Sequence, residues 1–276
     1  MKRIAFQGEP GAYSHQACRD AYPDMEPLAC RTFEDAIETV RAHEAELAML
    51  PVENSTFGRV ADIHHLMPSS GLHIVSEAFV RVRINLLALP GTPLGQIGHA
   101  MSHTMLLGQC RSFLTQHNIA RITGADTAGS AREVAKRQDP TLAALASELA
   151  GSIYGLDVVA RDIEDEGNNT TRFLAMSRSP NYERRGEHGT MTSIVFQVRN
   201  LPAALYKAMG GFATNGVNMT KLESYMIGGS FSATQFYADI EGHPDDPPVK
   251  RALEELDYFT SEMVLLGVYP ADPNRY

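Results

Sequence analysis

The sequence lacks the features of several large classes of protein. It has only three cysteines, Cys18, Cys30 and Cys110, and their odd number and wide spacing argue against a disulfide framework or a zinc site. Basic residues are also scarce: 24 lysines and arginines stand against 33 acidic residues, a net charge of −9. Nucleic acid and anionic membranes are therefore poor partners, and an anionic substrate would have to be held by local donors.

Long apolar runs are missing as well. No stretch approaches the roughly 20 apolar residues that cross a bilayer, so no membrane partner is expected. The first eight residues, Met1 to Gly8, become polar too early for a signal peptide, which predicts a cytoplasmic protein. The chain has 276 residues, 43% of them hydrophobic, and can therefore build a core in one or two domains.

Nucleotide and metal signatures are absent too. The segment Gly8–Ser14 is a tight strand-to-helix turn, but it matches neither GxGxxG nor GxxxxGK[ST]. It is interpreted either as an ordinary loop or as an anion site formed by the amides of a helix N-terminus. The pair His64-His65 and the pair His99 and His103 lack matching carboxylate or thiolate partners, so no metal site is predicted.

What the sequence does contain is an alternation of strand and helix patterns. Strands are predicted at Ile4–Phe6, Leu47–Leu50, Ile84–Leu89 and Phe173–Met176. Helices are predicted near Ser14, over Phe33–Val40, from a cap at Ser102, from the capping-box sequence at Ser130–Glu133, and from about Ala144 to Gly155. This alternation predicts an α/β fold with largely parallel sheets.

A polar segment around Ser179–Glu187 has the composition of a linker. After it the pattern is strand, helix, strand, strand, helix, strand, with Gly228-Gly229 as the turn of the central hairpin. This is the order of the ferredoxin-like fold. We therefore expect a first domain at 1–180, a linker at 181–190 and a second domain at 191–276.

Two polar clusters lie near predicted strand ends and helix starts. Asn54, Ser55 and Thr56 follow the strand Leu47–Leu50, and ligands collect beyond the carboxyl ends of strands in open α/β sheets. Ser102-His103 and Gln109-Cys110 are separated by two helical turns, about 10 Å, and can reach one cleft only at its two ends. Cys110 itself is interpreted as a core residue.

The richest polar cluster is Asn168–Phe173, which places two amides, two hydroxyls and a guanidinium within six residues. It offers many hydrogen-bond donors but neither a metal-ligand set nor a nucleophile with a base. Such a site would hold a small anion and stabilise charge that moves during a reaction. The cluster makes the chain a candidate enzyme for a carboxylate-bearing metabolite.

Together these segments resemble the prephenate dehydratase family, across essentially the whole chain. Gly8–Ser14 resembles the family's opening motif, Val52–Ser55 its ENS loop, and Thr171–Phe173 its TRF signature. Ser102-His103 with Gln109-Cys110 resembles its SH…QC segment. Each motif is weak alone, whereas four in order are highly specific. The second domain, above all Asn218–Ser224, resembles an ACT regulatory domain.

The resemblance implies a first domain with two lobes, a type II periplasmic-binding-protein fold and a site in the cleft. It implies that prephenate loses water and carbon dioxide to give phenylpyruvate, on the route to phenylalanine, without a cofactor. Thr171 is then the key catalytic residue, a donor to the leaving hydroxyl, with Asn54, Ser102 and Gln109 in support. Arg172 and loop amides would bind the side-chain carboxylate, and the other expected substrate contacts are Ser14, Ser55, Thr56, Thr170 and Phe173.

For the second domain the resemblance implies L-phenylalanine as feedback effector and a homodimer or homotetramer. The expected effector contacts are Leu201, Ala203, Ala204, Leu205, Asn218, Met219, Thr220, Leu222, Glu223 and Ser224. The chain departs from the family's glycine-bearing GAL turn at Ala203-Ala204, and from its ESRP segment at Tyr225-Met226. Because glycine permits closer backbone approach than alanine, this departure predicts weaker or altered effector binding.

Two other functions stay open at this point. An arogenate or broad cyclohexadienyl dehydratase would use the same donors on a substrate with an amino-acid side chain. A non-catalytic amino-acid sensor would bind ligands without chemistry. The absence of a signal peptide and the intact Thr171–Phe173 motif count against the sensor.

Overall fold

The computed structural model describes residues 2–184, 186, 188–199, 201–226 and 233–275 of the chain. The chain forms two compact units, one made of Met1–Val60 and Phe79–Phe173, the other of Ala61–Ala78 and Leu174–Tyr276. These units do not follow the predicted ranges, because residues 61–78 belong with the C-terminal part of the chain. The predicted turn at Gly228-Gly229 lies outside the described residues.

The helices and strands follow one another in three stretches of the chain. The first contains β1 (Arg3–Gln7), α1 (Tyr13–Ala21), β2 (Glu26–Cys30), α2 (Phe33–Arg41), β3 (Leu47–Asn54), β4 (Gly58–Arg59), α3 (Ala61–Leu66) and β5 (His73–Arg81). The second contains β6 (Asn85–Ala88), β7 (His99–Ser102), α4 (Thr104–Gln109), α5 (Arg111–Gln116), β8 (Ala120–Thr123), α6 (Thr127–Arg137), β9 (Leu142–Ala146), α7 (Glu148–Tyr154), β10 (Asp157–Ala160) and β11 (Thr170–Ser177). The third contains β12 (Thr190–Val198), α8 (Ala204–Thr214), β13 (Met219–Met226), β14 (Ala233–Glu241), α9 (Pro247–Phe259) and β15 (Thr260–Pro270).

In the first unit, parallel strands bring several strand ends together. β2, β1, β3 and β11 are neighbours in that order, and β1 pairs in parallel with both β2 and β3. A capping box formed by Thr32 and Asp35 starts α2 immediately after β2. The carboxyl ends of β1, β2 and β3, at Gln7, Cys30 and Asn54, therefore lie along one edge of the sheet. Ligands bind at this edge in α/β folds.

A separate five-stranded sheet completes the first unit, with the order β10-β6-β9-β7-β8. β7 pairs in parallel with β8 and β9, whereas β6 pairs antiparallel with β9 and β10. The sheet is therefore mixed, and the prediction of largely parallel sheets holds only for part of it. Its two faces are buried by apolar clusters that include Leu86, Leu107 and Leu145 on one side and Leu87, Val134 and Leu142 on the other.

Two predicted helix starts in this region are wrong. Residues 142–146 form the fully buried strand β9, whose continuous apolar run has no alternation to distinguish it from a helix. The helix α7 starts only after the cap at Ser147 and ends, as predicted, at a left-handed Gly155. Ser130 lies inside α6 and donates its hydroxyl hydrogen to the carbonyl of Asp126, which is the residue that caps this helix.

The second unit contains the predicted order of strand, helix, strand, strand, helix, strand. Its strands are neighbours in the order β13-β14-β12-β15, which is the ferredoxin-like arrangement. Apolar side chains of α8 and α9, among them Phe212 and Leu256, pack on one face of these strands. β15 also pairs with β5, where a side chain at Gly267 would clash with the backbone of Ile74.

The other face of these strands carries a buried polar cluster, which we define as Ser193, Tyr237, Asp239 and Tyr269. The carboxylate of Asp239 accepts hydrogen bonds from the hydroxyls of Ser193 and Tyr237 at 2.5 and 2.6 Å. The ring of His64, from helix α3, lies edge-on to Tyr237 with centroids 5.1 Å apart. This contact is one reason why residues 61–78 group with the C-terminal part of the chain. No described helix is long and apolar enough to span a bilayer.

Candidate active site

A cavity of about 890 Å³ lies in the first unit, between the strand ends of β1, β2 and β3 and the starts of helices α4 and α6. Its wall is mostly apolar with a few polar groups, as is usual for small-molecule sites. Of the predicted site residues, five line it: Ser14, Asn54, Gln109, Thr171 and Phe173. Five others, Ser55, Thr56, Ser102, Thr170 and Arg172, do not.

Asn54 lies at the centre of the hydrogen bonding in this cavity. Its Oδ1 accepts from the backbone N–H groups of Thr56 and Phe57 at 2.9 and 3.0 Å, which fixes the orientation of the amide. Its Nδ2 can then donate two hydrogens, one to Asn169 Oδ1 at 2.6 Å and one to Thr171 Oγ1 at 2.9 Å. All four hydrogen-bonding positions of the amide are used.

The hydrogen bonds of Asn54 determine whether the Thr171 hydroxyl donates or accepts. The Nδ2 of Asn54 has no lone pair, so Thr171 can only accept in their bond and must give its own proton to another group. Thr171 is half-buried and lines the cavity. The Thr171 hydroxyl is therefore a hydrogen-bond donor available to a ligand.

Ser55 and Thr170 hold the cavity wall together but do not line the cavity. The N–H of Ser55 donates to the Thr170 carbonyl and the N–H of Thr170 to Ser55 Oγ, both at 2.9 Å. Ser55 Oγ in turn donates to the carbonyl of Asn168 at 2.8 Å. Thr56 is exposed at the turn. These residues dock the loop after β3 onto the start of β11, which brings Asn54 to Thr171.

Arg172 does not face the cavity, contrary to the expectation that it binds a substrate carboxylate. Successive side chains of a strand point to opposite faces, and in β11 Thr171 and Phe173 take the cavity side. Arg172 is 2% exposed and its guanidinium donates to Glu53 Oε1 at 2.9 Å. It acts as a structural ion pair between β3 and β11.

Ser102 is also misplaced for the supporting role that the sequence suggested. It is the last residue of β7 and completely buried, and its hydroxyl donates to the Leu145 carbonyl at 2.7 Å. Nor does it cap a helix: α4 is capped by His103, whose Nδ1 accepts from the N–H of Met105 at 3.4 Å. His103 lines the cavity in its place.

Gln109 reaches the cavity from the end of α4. Its Oε1 is buried, and no residue in the part of the chain that the structure describes donates a hydrogen bond to it. A buried polar atom without a partner is costly, so a ligand that allowed this amide to turn and form a hydrogen bond would relieve that cost. The neighbouring Cys110 is a fully buried core residue, as predicted, and burial raises the pKa of its thiol above the usual value.

The segment Gly8–Ser14 lines the cavity with the first residues of α1. No side chain caps this helix, so its first amides remain available to an anion. Gly11 has φ +93°, and a Cβ there would lie 2.7 Å from the Cα of Ala150. Ser147 donates to the Gly11 carbonyl and Tyr154 to that of Pro10, so α7 holds the segment in place.

The charged residues of the cavity were not predicted from the sequence. Arg31, immediately after β2, is exposed at the cavity and forms no ion pair with any described residue. The capping box at Thr32 was the available signal, because it marks the end of the preceding strand. Asp126 and Glu9 also line the cavity, and Glu9 is bound by Arg132 at 2.7 Å. The described residues contain no cluster of acidic, histidine or cysteine side chains arranged for a metal.

The predicted effector residues lie in two segments of the second unit. Leu201 to Leu205 lead into α8, which begins at Ala204, and Asn218 to Ser224 lead into and run along β13, which begins at Met219. Ala203 caps α8 with φ 62° and ψ 14°, the left-handed conformation that glycine adopts without strain. The departure from a glycine at this turn therefore has a local conformational cost. The effector role of these residues remains a prediction.

Comparison with known proteins matches residues 4–181 to the family described as prephenate dehydratase. The chain is 50% identical over 275 residues to a bifunctional N-acyl-homoserine lactone acylase/prephenate dehydratase of Komagataeibacter europaeus, covering 99% of this chain and 97% of the relative. It is 38% identical to arogenate dehydratase/prephenate dehydratase 2 of Arabidopsis thaliana, covering 98% and 73%. A crystal structure of prephenate dehydratase from Arthrobacter aurescens in complex with L-Phe is similar, with a TM-score of 0.88, 31% identity and coverage of 98% and 90%.

Proposed function

Because this chain belongs to the prephenate dehydratase family, and is therefore a lyase, we propose that it converts prephenate to phenylpyruvate in phenylalanine biosynthesis. In this reaction the bond from the ring to its carboxylate breaks and carbon dioxide leaves. The electron pair enters the ring, the carbon–oxygen bond to the ring hydroxyl breaks, and the hydroxide leaves as water after taking a proton. The enzyme has to stabilise the charge on that departing oxygen.

The observation that carries the proposal is the hydrogen bond from Asn54 Nδ2 to Thr171 Oγ1 at 2.9 Å. It leaves the Thr171 proton for the ring hydroxyl of the substrate, while the unpartnered amide of Gln109 faces the same cavity. A threonine hydroxyl is a poor acid, because efficient acids titrate near the working pH. Thr171 therefore acts as a hydrogen-bond donor or a relay, with the proton supplied by another group.

The two carboxylates of prephenate need different surroundings. The amides at the start of α1 and the guanidinium of Arg31 suit the side-chain carboxylate, which keeps its charge throughout. The ring carboxylate is lost as a neutral molecule, so an apolar environment favours its departure. Met105, Leu106 and Phe173 supply such a wall in the cavity.

Arogenate is the second candidate substrate. It differs from prephenate by an ammonium in place of the keto group, and the carboxylates of Glu9 and Asp126 line the cavity. The Arabidopsis thaliana relative carries both dehydratase activities in its name. The sensor alternative is not retained, because the chain belongs to a family of lyases.

We further propose that residues 191–276, within the second unit, form an ACT-type regulatory module that binds L-phenylalanine through the start of α8 and β13. The relative from Arthrobacter aurescens, 31% identical, forms a complex with L-Phe, which supports this effector. Tyr206 and Tyr258 are more than 80% exposed and favour pairing of this module in a homodimer or homotetramer. Titration calorimetry with L-phenylalanine tests the effector. If no heat of binding is detected at millimolar ligand, the module would serve only in subunit assembly.

The purified chain should be incubated separately with prephenate and arogenate, and phenylpyruvate and phenylalanine followed by absorbance and chromatography. We expect phenylpyruvate from prephenate, and the ratio of kcat/KM values decides the preferred substrate. An N-acyl-homoserine lactone is a third substrate to include, because the Komagataeibacter europaeus relative is also named as an N-acyl-homoserine lactone acylase. A chain that forms no product from prephenate or arogenate would refute the proposed function.

A further inference from the structure

The amide of Gln109 reaches the cavity without a hydrogen bond to hold it. Its Oε1 has no donor among the described residues, and the residue is the last of helix α4. The position of this amide therefore depends on the backbone at the junction of α4 and α5. That junction is a break in the helical path at Cys110, with φ −112° and ψ 25°, and Cys110 provides no side-chain cap for α5.

A residue far along the chain binds both sides of this break. The backbone N–H of Asp165 donates to the Gln109 carbonyl at 2.6 Å. The carboxylate of Asp165 accepts from the backbone N–H of Ser112, with its two oxygens at 3.2 and 3.4 Å. Asp165 thus satisfies a carbonyl at the end of α4 and an amide at the start of α5, a role that capping side chains usually fill locally.

Asp165 is itself held by its neighbours in sequence. The N–H of Ile163 donates to the Ile84 carbonyl at 2.9 Å, and Glu164 Oε2 accepts from the Ile84 N–H at 3.0 Å. The side chain of Ile163 is buried in the same apolar cluster as Cys110. Six residues further along the chain, Thr171 lines the cavity. One anchored segment therefore supports Gln109 and leads directly into the strand that carries Thr171.

We propose that Asp165 is a positioning residue that holds Gln109 in register with Thr171. The inference rests on the function proposed above and adds that the Nε2 of Gln109 donates a hydrogen bond to the departing hydroxyl. Charge develops on that oxygen only in the transition state, so a displaced Gln109 lowers kcat and leaves KM nearly unchanged. Asp165 does not line the cavity, so its role is to position Gln109.

The test compares Asp165→Ala with Asp165→Asn and with a matched control. Asp165→Ala should lower kcat about 10- to 100-fold, because displacements of about 1 Å have effects of this size. Asp165→Asn should recover most of the activity, since the amide oxygen still accepts from Ser112. The control is Asp162→Ala, which removes a carboxylate of the same segment that pairs with Arg83 at 3.0 Å on the surface. It should leave kcat unchanged.

A double-mutant cycle with Gln109→Ala distinguishes an effect of Asp165 that acts through Gln109 from a loss of activity that is independent of Gln109. If Asp165 acts through Gln109, Asp165→Ala should cost little further activity once Gln109 is alanine. Fully additive losses in the cycle would overturn the proposal. So would an Asp165→Ala variant with wild-type kcat, or an Asp165→Asn variant as impaired as the alanine. An inactive wild-type chain would instead refute the proposed function, and this inference with it.

Discussion

Two groups of polar side chains in this protein, one buried and one half-buried, differ in how completely they satisfy one another. In the polar cluster of the second unit, the Asp239 carboxylate is fully buried and receives hydroxyl hydrogens from Ser193 and Tyr237. In the cavity of the first unit, Asn54 is fully bonded, but the Thr171 proton and the buried Gln109 amide oxygen have no partner among the described residues.

The difference shows that burial of polar residues does not by itself indicate a functional site. A closed network rigidifies the fold, because every donor finds its acceptor within the protein. A network with unused donors and acceptors at a cavity is poised for a ligand instead. Substitutions at the cavity should therefore lower activity, whereas substitutions in the Asp239 cluster should lower stability.

The largest effect is expected for Thr171→Ala. Loss of one aligned donor to a developing oxyanion costs about 3–4 kcal/mol, or roughly a hundred- to thousand-fold in kcat. The melting temperature should hardly change, because Thr171 is half-buried beside a cavity. Kinetics with prephenate and a thermal melt measure both quantities. Thr171→Ser, which keeps the hydroxyl, is the control, and near-wild-type turnover by the alanine variant would remove Thr171 from the mechanism.

Asp239→Ala should have the opposite signature. It leaves the hydroxyls of Ser193 and Tyr237 without their acceptor in a fully buried site and should lower stability by about 3 kcal/mol. Turnover per folded molecule should stay close to wild type, since Asp239 belongs to the second unit. Denaturant unfolding monitored by fluorescence and circular dichroism gives the loss, and Asp239→Asn should lose less. An Asp239→Ala protein as stable as wild type would contradict the comparison.

Arg31→Gln should affect substrate binding and leave the fold intact. The guanidinium is exposed at the cavity, so its removal weakens binding of a carboxylate equally in ground and transition states. We expect a rise in KM of about tenfold with kcat nearly unchanged, the size of one solvent-exposed charge-assisted hydrogen bond. Arg41→Gln, which removes an exposed arginine paired with Glu38, is the matched control. Equal KM values for the two variants would exclude Arg31 as a carboxylate ligand.

The smallest effect is expected for Ala203→Gly, which should stabilise the protein by about 0.5–1 kcal/mol. Alanine in the left-handed region is strained by about 1–2 kcal/mol, and the greater freedom of unfolded glycine offsets part of the gain. The neighbouring Ala204→Gly is an internal control, because Ala204 is helical and glycine there should destabilise. Denaturant midpoints of the two variants should therefore move in opposite directions; a shared direction would show that Ala203 is not strained.

The predictability of the fold varied along the chain. The order of elements from β12 to β15 was predicted, because half-buried strands and amphipathic helices there carry distinct periodicities. The last part of the strand β9, from Ala144, was predicted as a helix, because a segment buried on both faces shows no alternation. The association of residues 61–78 with the C-terminal unit could not be predicted, since it depends on contacts such as that of His64 with Tyr237, far apart in sequence.

The candidate site was predicted in the same uneven way. Asn54 and Thr171 were singled out from their polar segments, and the structure brings them within 2.9 Å. Arg172 and Ser102 were chosen for their chemistry, but each is buried against other protein groups. Arg31 was overlooked, although the capping box at Thr32 marks the end of the strand beside it.

The residues alone determined the family motifs, the helix and strand periods, and the presence of uncharged donors near strand ends, because all of these are local in the chain. Alternation along β11 likewise separates Thr171 from Arg172 in any strand. Only the tertiary structure decided which of the two faces the cavity. That choice depends on the pairing of β11 with β3 and on the polar contacts across 117 residues that orient Asn54.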